Sequence, residues 1–484
     1  MSDSAQTITK TNFQASYYLI LFNGISSISF GILASIISVY AKSKLGLSSM
    51  GAISLNSAFL GILFTMPILF GYLANQLGYV RSMVFGSIIG AIAFIFMLFP
   101  GAQYFYLGVA AFSIATSQYY TAMLVILGKL YEKNDPRRHA VYTLSYVAMN
   151  IGICIGGFVG GSIAQYYSYH MTFIISAILS IVSLGFALIS LPYIKNTHYR
   201  EFSLKSNKAS WFFIIAITCV SIPISAWLLN HAVINNALLI IVVSLVTLAL
   251  VIYAIKQKDK QTKLNILLFL ILSGLSVGFW VLYSLEPSYL TLFIKSNVQR
   301  HIFNTLIPAS DFYGLESFFV ILLGIPLTYL WLKLAKKNLE PSIGAKFALS
   351  LFIMGAGFVL LMLASRAHPS QLLNPVWIIV SYVLLSTAEL LISPVGNAMV
   401  GQLVPPKMEG TIMGFWQGII GVAAAIAAFA IGFVHLPTAK ETLSVSNHAY
   451  ESGFGILGFS TIGLGVVALL ILPWANKVLK KQDP

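Results

Sequence analysis

Long, nearly uninterrupted apolar runs follow one another along the chain, separated by short polar segments that carry most of the lysine and arginine. A helix rises about 1.5 Å per residue, so roughly 20 apolar residues cross a hydrocarbon core of about 30 Å. Lipid cannot satisfy stray backbone groups, and runs of this length therefore predict spanning helices. They fall at 15–40, 50–77, 83–99, 105–130, 141–167 and 171–193, then at 211–229 and 236–255. Six more follow at 264–294, 312–332, 344–365, 375–403, 410–433 and 454–474. The fourteen group as six, two and six, because a stretch with Lys195, Arg200, Lys205 and Lys208 precedes the middle pair and the run KQKDKQTK closes it. The expected organisation is a six-helix bundle over 1–194, a linker with two extra spanning helices over 195–263, and a second six-helix bundle over 264–484.

Composition agrees: of 484 residues 58% are hydrophobic and 9% charged, far from the roughly 25% charged of soluble proteins. Short loops rich in Lys and Arg stay cytoplasmic. With both termini inside, 22 of the 28 cations lie on the cytoplasmic side, leaving Lys42, Lys44, Lys295, Arg300, Arg366 and Lys440 on the other. The net charge of +14 is dispersed over these loops, which suits topology and anionic lipid, and no nucleic-acid partner is inferred. Cys154 and Cys219 sit in separate apolar helices, so neither a disulfide framework nor a metal site is expected. The N-terminal MSDSAQTITK has no apolar core before a cleavage site, so the first span is expected to serve for insertion.

No Lys or Arg falls in the middle of a predicted span, so all charge at membrane depth is acidic. Three carboxylates lie there: Glu286 in the seventh major helix, Glu316 near the start of the eighth and Glu389 in the tenth. An ionised carboxylate in lipid costs several kcal/mol, so such groups face a cavity, titrate or meet a cation. Glu389 has apolar flanks on both sides and reads as functional. Pro287 follows Glu286, so a helix-break role competes there with a site role, and Glu316 could instead be an N-terminal helix charge. The run NIGICIGGFVGG places Gly152, Gly156, Gly160 and the pair Gly157 and Gly161 on helix ridges where another helix can approach closely. It also faintly resembles the fifth-helix motif of exporters, with Gly157 where that motif has proline.

Between the second and third spans, GYLANQLGYVRS resembles the major-facilitator loop pattern at Gly71, Gly78 and Arg81, with Asn75 in place of its acid. That resemblance implies an all-α membrane protein of the major-facilitator fold, two six-helix bundles plus two inserted helices, 14 spans in all, rocking about a midplane site. Longer stretches resemble the proton-dependent oligopeptide transporter family. LYEKNDPRRHAVYTLSYVAMNIG is similar to its signature around the fifth helix, at Asn150 and Gly152. SYVLLSTAELLISPVGNAMVGQLVPPKMEGTIMGFW is similar to its tenth helix and following loop, at Glu389, Ser393, Pro394, Gly396, Gly410, Met413, Gly414 and Trp416. FWVLYSLEPSYLTLF and IPASDFYGLESFFVILLGIP are weaker but collinear, and the two inserted helices are typical of bacterial members.

The departures fall on the chemistry. Where family members carry Glu-x-x-Glu-Arg in the first helix, this chain reads FNGISSISFG. The fourth-helix Lys of the family falls at about Tyr120, its seventh-helix acid at Ser284 with Glu286 two residues on, and its eighth-helix Asn appears as Glu316. The resemblance implies a secondary transporter for proton-coupled uptake of small peptides across the bacterial inner membrane, with both termini cytoplasmic and no cofactor. The altered pocket extends this to amine-bearing solutes: modified peptides, amino-acid amides, polyamines or basic dipeptides. An exporter or facilitator of cationic compounds, or a transport-like sensor without flux, are the alternatives. An enzyme is not expected, because no nucleophile, base or metal constellation lies at depth. The expected substrate-contacting residues are Glu389, Glu316, Asn150, Tyr120, Trp280, Tyr283, Ser393 and Trp416, with Glu389 and Glu286 carrying the proton. Ser26, Ser27 and Tyr119 are further neutral hydrogen-bonding candidates.

Overall fold

The computed structural model describes residues 3–131, 135–195, 208–302, 304–337, 339–405, 408–438 and 441–479. Helices account for nearly all of it. They are α1 (Asp3–Ser43), α2 (Ser49–Leu77), α3 (Tyr79–Phe96), α4 (Ala102–Lys129), α5 (Pro136–Tyr166), α6 (Tyr169–Lys195), α7 (Lys208–Asn230) and α8 (Ala232–Lys256). They continue as α9 (Lys260–Ser284), α10 (Thr291–Asn297), α11 (Gly314–Ala335), α12 (Ile343–Ala367), α13 (Val376–Leu403), α14 (Glu409–Ala430) and α15 (Leu443–Leu479). A π-helical turn, Glu286–Leu290, joins α9 to α10, and the resulting span Lys260–Asn297 completes a set of 14 membrane-spanning helices. This is the all-α architecture expected from the apolar runs.

Two spans run well past their apolar runs because polar side chains satisfy one another there. At the end of α10, Asn297 donates to Ser446 Oγ (2.9 Å) and Asn447 Oδ1 (2.7 Å). The Asn447 amide in turn donates to the carbonyls of His368 and Gln371. Ser446 and Asn447 at the start of α15 are therefore buried by hydrogen bonding rather than by apolar sequence, which is why the hydropathy pattern starts this helix eleven residues late. Helix starts facing the loops are capped conventionally. Asp135 accepts from Arg137 N at 2.9 Å with Pro136 at the first helical position, and Asp259 accepts from Thr262 N at 2.7 Å. Of the cations used to orient the chain, Lys133, Arg200, Lys205, Lys407, Lys440, Lys480 and Lys481 lie outside the described residues.

The chain groups into two compact units, one holding the described residues up to Ile36 with Ile62–His231, the other Ile37–Gly61 with Ala232–Pro484. The two extra helices divide between them, α7 in the first and α8 in the second. In the first unit α3 packs on α4 and α6, around a core that includes Phe22, Met83, Met123 and Ile126. The glycine ridge of α5 lies against α1: a Cβ at Gly152 would overlap the Gly24 carbonyl, and one at Gly160 would stand 3.1 Å from Ile32 Cα. Bare backbone on both sides lets the helices approach to a distance that no larger residue permits. In the second unit α12 packs on α13 and α15, and α9 on α14. Asn235 and Asn236 of α8, both fully buried, donate to the carbonyls of Ala58 (3.5 Å) and Ser54 (3.4 Å) on α2.

A Cβ at Gly156 would collide with the Ile28 carbonyl and sit 2.7 Å from Ile32 N, both rigid helix backbone, whereas nothing lies within 4 Å of one at Gly185. Gly156→Val is accordingly expected to destabilise the protein by about 1–3 kcal/mol or more, and Gly185→Ala to leave it unchanged. Thermal melting of the two variants in detergent checks this, and equal melting temperatures would remove the role assigned to the ridge.

Candidate functional site

The first element of the site is the break in the ninth span. Proline has no N–H, so Pro287 cannot bond the carbonyl one turn back, and a regular α-helix cannot continue through it. The chain inserts a π turn instead: Leu290 N reaches Leu285 O at 3.0 Å, five residues back, and Thr291 Oγ1 donates to Glu286 O at 3.0 Å. Such turns recur where a helix presents a functional side chain. Ser288 N bonds Leu285 O, which frees the carbonyl of Ser284. The side-chain amide of Asn56, on α2, donates to that carbonyl at 3.2 Å from a fully buried position. The helix-break and site readings of Glu286 thus coincide, since the irregular turn is what carries a carboxyl group 1% exposed into the unit.

Glu316 and Glu389 meet it there. Glu316 stands in the first turn of α11, yet that helix end has no side-chain cap. Its carboxylate instead accepts from Ser317 Oγ at 2.7 Å, and its main-chain carbonyl accepts from Ser386 Oγ at 2.9 Å, tying α11 to α13. Glu389 lies within hydrogen-bonding reach of Glu316, and Glu286 is close enough to both to interact electrostatically. All three are at most 7% exposed. Both oxygens of Glu286, Oε1 of Glu316 and Oε2 of Glu389 have no hydrogen-bond partner.

Three tyrosines surround the acids. Tyr283, Tyr313 and Tyr382 each feel the charges of Glu286 and Glu316, and Tyr283 and Tyr313 that of Glu389 as well. The Tyr382 hydroxyl is fully buried and unpartnered, as is the indole N–H of Trp280. Tyr313, Tyr382 and Asn56 were not among the residues expected from sequence. The spacing does carry the signal for the tyrosines: Tyr283 and Tyr313 precede an acid by three residues and Tyr382 by seven, each on the acid's own helical face.

The other expected residues divide. Trp280 and Trp416 pack edge-on at 6.4 Å. Trp416 is 1% exposed and lies on Gly396, where a Cβ would overlap its ring, so its position is that of a wedge between α13 and α14. Ser393 is half-buried one turn beyond Glu389. Asn150 and Tyr120 belong to the first unit. Asn150 donates to Tyr146 O of its own helix at 3.0 Å, and Tyr120 flanks the first unit's core beside Tyr119. The first-helix stretch is consumed locally: Asn23 donates to Ser145 O and Oγ on α5 at 3.0 Å each, and Ser27 Oγ returns to Asn23 O at 2.7 Å. Ser29 donates to Ser176 O on α6 at 3.1 Å.

A model of the POT family matches residues 83–451. The chain belongs to the POT family. Over 467 residues this POT-family chain is 28% identical to dipeptide and tripeptide permease B of Aliivibrio fischeri (strain MJ11), an alignment covering 93% of it and 92% of the relative. It is 26% identical over 460 residues to dipeptide and tripeptide permease A of Chromobacterium violaceum, covering 93% and 91%. Its fold is similar to that of a glutamate-to-glutamine mutant of peptide transporter POT crystallised with alafosfalin, with TM-score 0.85, 21% identity and 99% and 100% of the two chains covered. It is equally similar to a structure described for substrate recognition in proton dependent oligopeptide transporters, with TM-score 0.84, 21% identity and 96% and 100% covered. The architecture is thus the major-facilitator fold of these transporters, and the chain is a multi-pass bacterial membrane protein and not an enzyme.

The Asn56 bond generates a prediction for this POT-family member. Asn56→Leu keeps the branching of the side chain but removes the donor to the buried Ser284 carbonyl, which is left with Ser288 Oγ at 3.5 Å, so a loss of about 1–3 kcal/mol is expected. A lowered melting temperature of the purified variant is the expected result, and an unchanged one would show that the π turn does not depend on α2.

Proposed function

We propose that this chain is a secondary transporter that takes up small peptides, or peptide-like amine-bearing solutes, together with protons, across the bacterial inner membrane with both termini in the cytoplasm. The observation that carries the reading is the set of three buried carboxylates, Glu286, Glu316 and Glu389, which lie close enough to interact, keep unpartnered oxygens and, among the described residues, have no basic side chain acting on them. Charge taken out of water must be neutralised. Here the positive charge comes from outside the protein, as a proton or as the ammonium group of a solute, and the two compete for the same oxygens. Glu389 and Glu286 are the proton carriers in this scheme, and Glu389 and Glu316 hold the amine. The names of the relatives, dipeptide and tripeptide permeases, and the peptide-transporter neighbours support peptides as the solute.

The remaining roles follow from position. Tyr283 stands among the acids and Trp280 packs on it; both are assigned to an ammonium group, which aromatic faces favour, together with Ser393 one turn beyond Glu389 and Trp416, which packs on Trp280. Asn150 and Tyr120 are assigned neutral hydrogen bonds to the solute. The functional halves are the bundles over 1–194 and 264–484, with 195–263 inserted between them in sequence.

Purified protein in proteoliposomes tests the coupling. With the outside acid, labelled dialanine is expected to accumulate, and a protonophore to abolish the accumulation. Glu389→Gln cannot exchange a proton and is expected to lower gradient-driven uptake at least about tenfold, a typical loss for a group that must change its protonation state. Uptake indifferent to both the gradient and the substitution would defeat proton coupling.

A further inference from the structure

An acid cluster with three members asks for more positive charge than one ammonium group supplies. Glu286, Glu316 and Glu389 interact with one another and with tyrosines. The next basic residue along the ninth span is Lys295, nine positions beyond Glu286 and so roughly 13 Å along the axis, where its charged neighbours are Lys42 and Arg300 rather than any acid. Four carboxylate oxygens in the cluster are without a hydrogen-bond partner. The phenolic hydroxyl of Tyr382, near Glu286 and Glu316, and the indole N–H of Trp280, whose ring packs on Tyr283, are also buried and unpartnered, at 0% and 4% exposure. A buried polar atom left unsatisfied is costly, and unpartnered atoms of this kind on and next to the acids mark the place of a polar guest.

The site is also graded. Glu389 and Glu316 are close enough to share a proton or an ammonium group between them, while Glu286 arrives from a different helix with both oxygens free. A single ammonium group bridging Glu389 and Glu316 leaves Glu286 bare, whereas a second cationic group carried by the same solute meets it. Tyr283 lies among all three acids and offers its face to the stem between the two charges.

We propose that the Glu286, Glu316 and Glu389 cluster selects a small dication, one solute bearing two ammonium or guanidinium groups, and that among peptides it prefers those whose first residue is basic. This rests on the transporter reading above and narrows it. Glu316 is the specificity-determining member, because its removal returns the site to the charge demand of a single ammonium group plus one proton.

Binding to the full-length protein in detergent, measured by isothermal titration at one pH, tests this without requiring transport. Lys-Ala is expected to bind at least about tenfold more tightly than Ala-Ala, a difference of about 1.4 kcal/mol, and the isosteric Glu316→Gln to bring that ratio below about threefold. The ratio, not either affinity, is the readout, and the wild-type ratio stands even if the variant is poorly folded. Cadaverine binding as tightly as Lys-Ala would support the dication and make a diamine rather than a peptide its source. A wild-type ratio near one, or no binding of either peptide, would overturn the proposal and leave protons alone to neutralise the cluster. Uptake of Ala-Ala with a ratio near one defeats only this inference. Tight Lys-Ala binding without uptake of any peptide defeats only the transporter reading.

Discussion

A carboxylate withdrawn from water must find a positive charge, and the second unit of this protein holds three carboxylates on which, among the described residues, no basic side chain acts. Several contacts of that unit lie next to them. α11 and α13 are joined by the Ser386 bond to the Glu316 carbonyl, α12 and α13 by Ser350 donating to Ala388 O at 2.8 Å beside Glu389, and α9 turns its acid inward through a π turn. Hydroxyl-to-carbonyl bonds between helices contribute modestly in a membrane, because the unfolded chain also finds partners there. Here they lie next to the acids, where position matters most.

The backbone imposes the second constraint. Lipid offers no hydrogen bonds, so a break in a spanning helix survives only where protein groups replace those that are lost. Pro287 makes the break, Thr291 Oγ1 and Asn56 Nδ2 fill it, and Glu286 occupies its first residue. The acid and its irregular backbone are therefore one device. Asn56 comes from a half of α2 that belongs to the same unit as the acids, which places its amide where the carbonyl is freed.

Much of this was legible before the coordinates. Apolar run length fixes all fourteen spans, because crossing lipid demands both length and composition. Glu286, Glu316 and Glu389 stand out because charge is so rare at that depth. What stayed hidden depended on contacts distant in sequence. Asn56 reads as an ordinary polar residue in an apolar helix until Ser284, 228 positions away, is placed against it. The early start of α15 was missed because a mutual Asn297, Ser446 and Asn447 network, not hydropathy, buries it. Trp416 matched a family motif, yet its wedge against Gly396 is visible only in three dimensions. Tyr313 and Tyr382 were readable in principle, since helical spacing sets each on the face of an acid.

The first helix explains why the charge demand is so one-sided. Where relatives of this family type carry two acids and a base, Asn23, Ser27 and Ser29 bind neighbouring helices instead, through Ser145 and Ser176 and within the turn. An acid and a base in one helix can neutralise each other and exchange that pairing for a solute. Amides and hydroxyls that have closed on backbone carbonyls have nothing to exchange, since breaking them leaves buried groups unsatisfied. In the function proposed above, the exchange of one positive partner for another falls to the acids of the second unit, whose unpartnered oxygens remain. A solute that brings more positive charge relieves that crowding further, and a proton that replaces it restores the same balance. In that proposal the uncharged stretch of α1 and the presence of Glu316 on α11 act in the same direction, leaving neutralisation to what the protein binds.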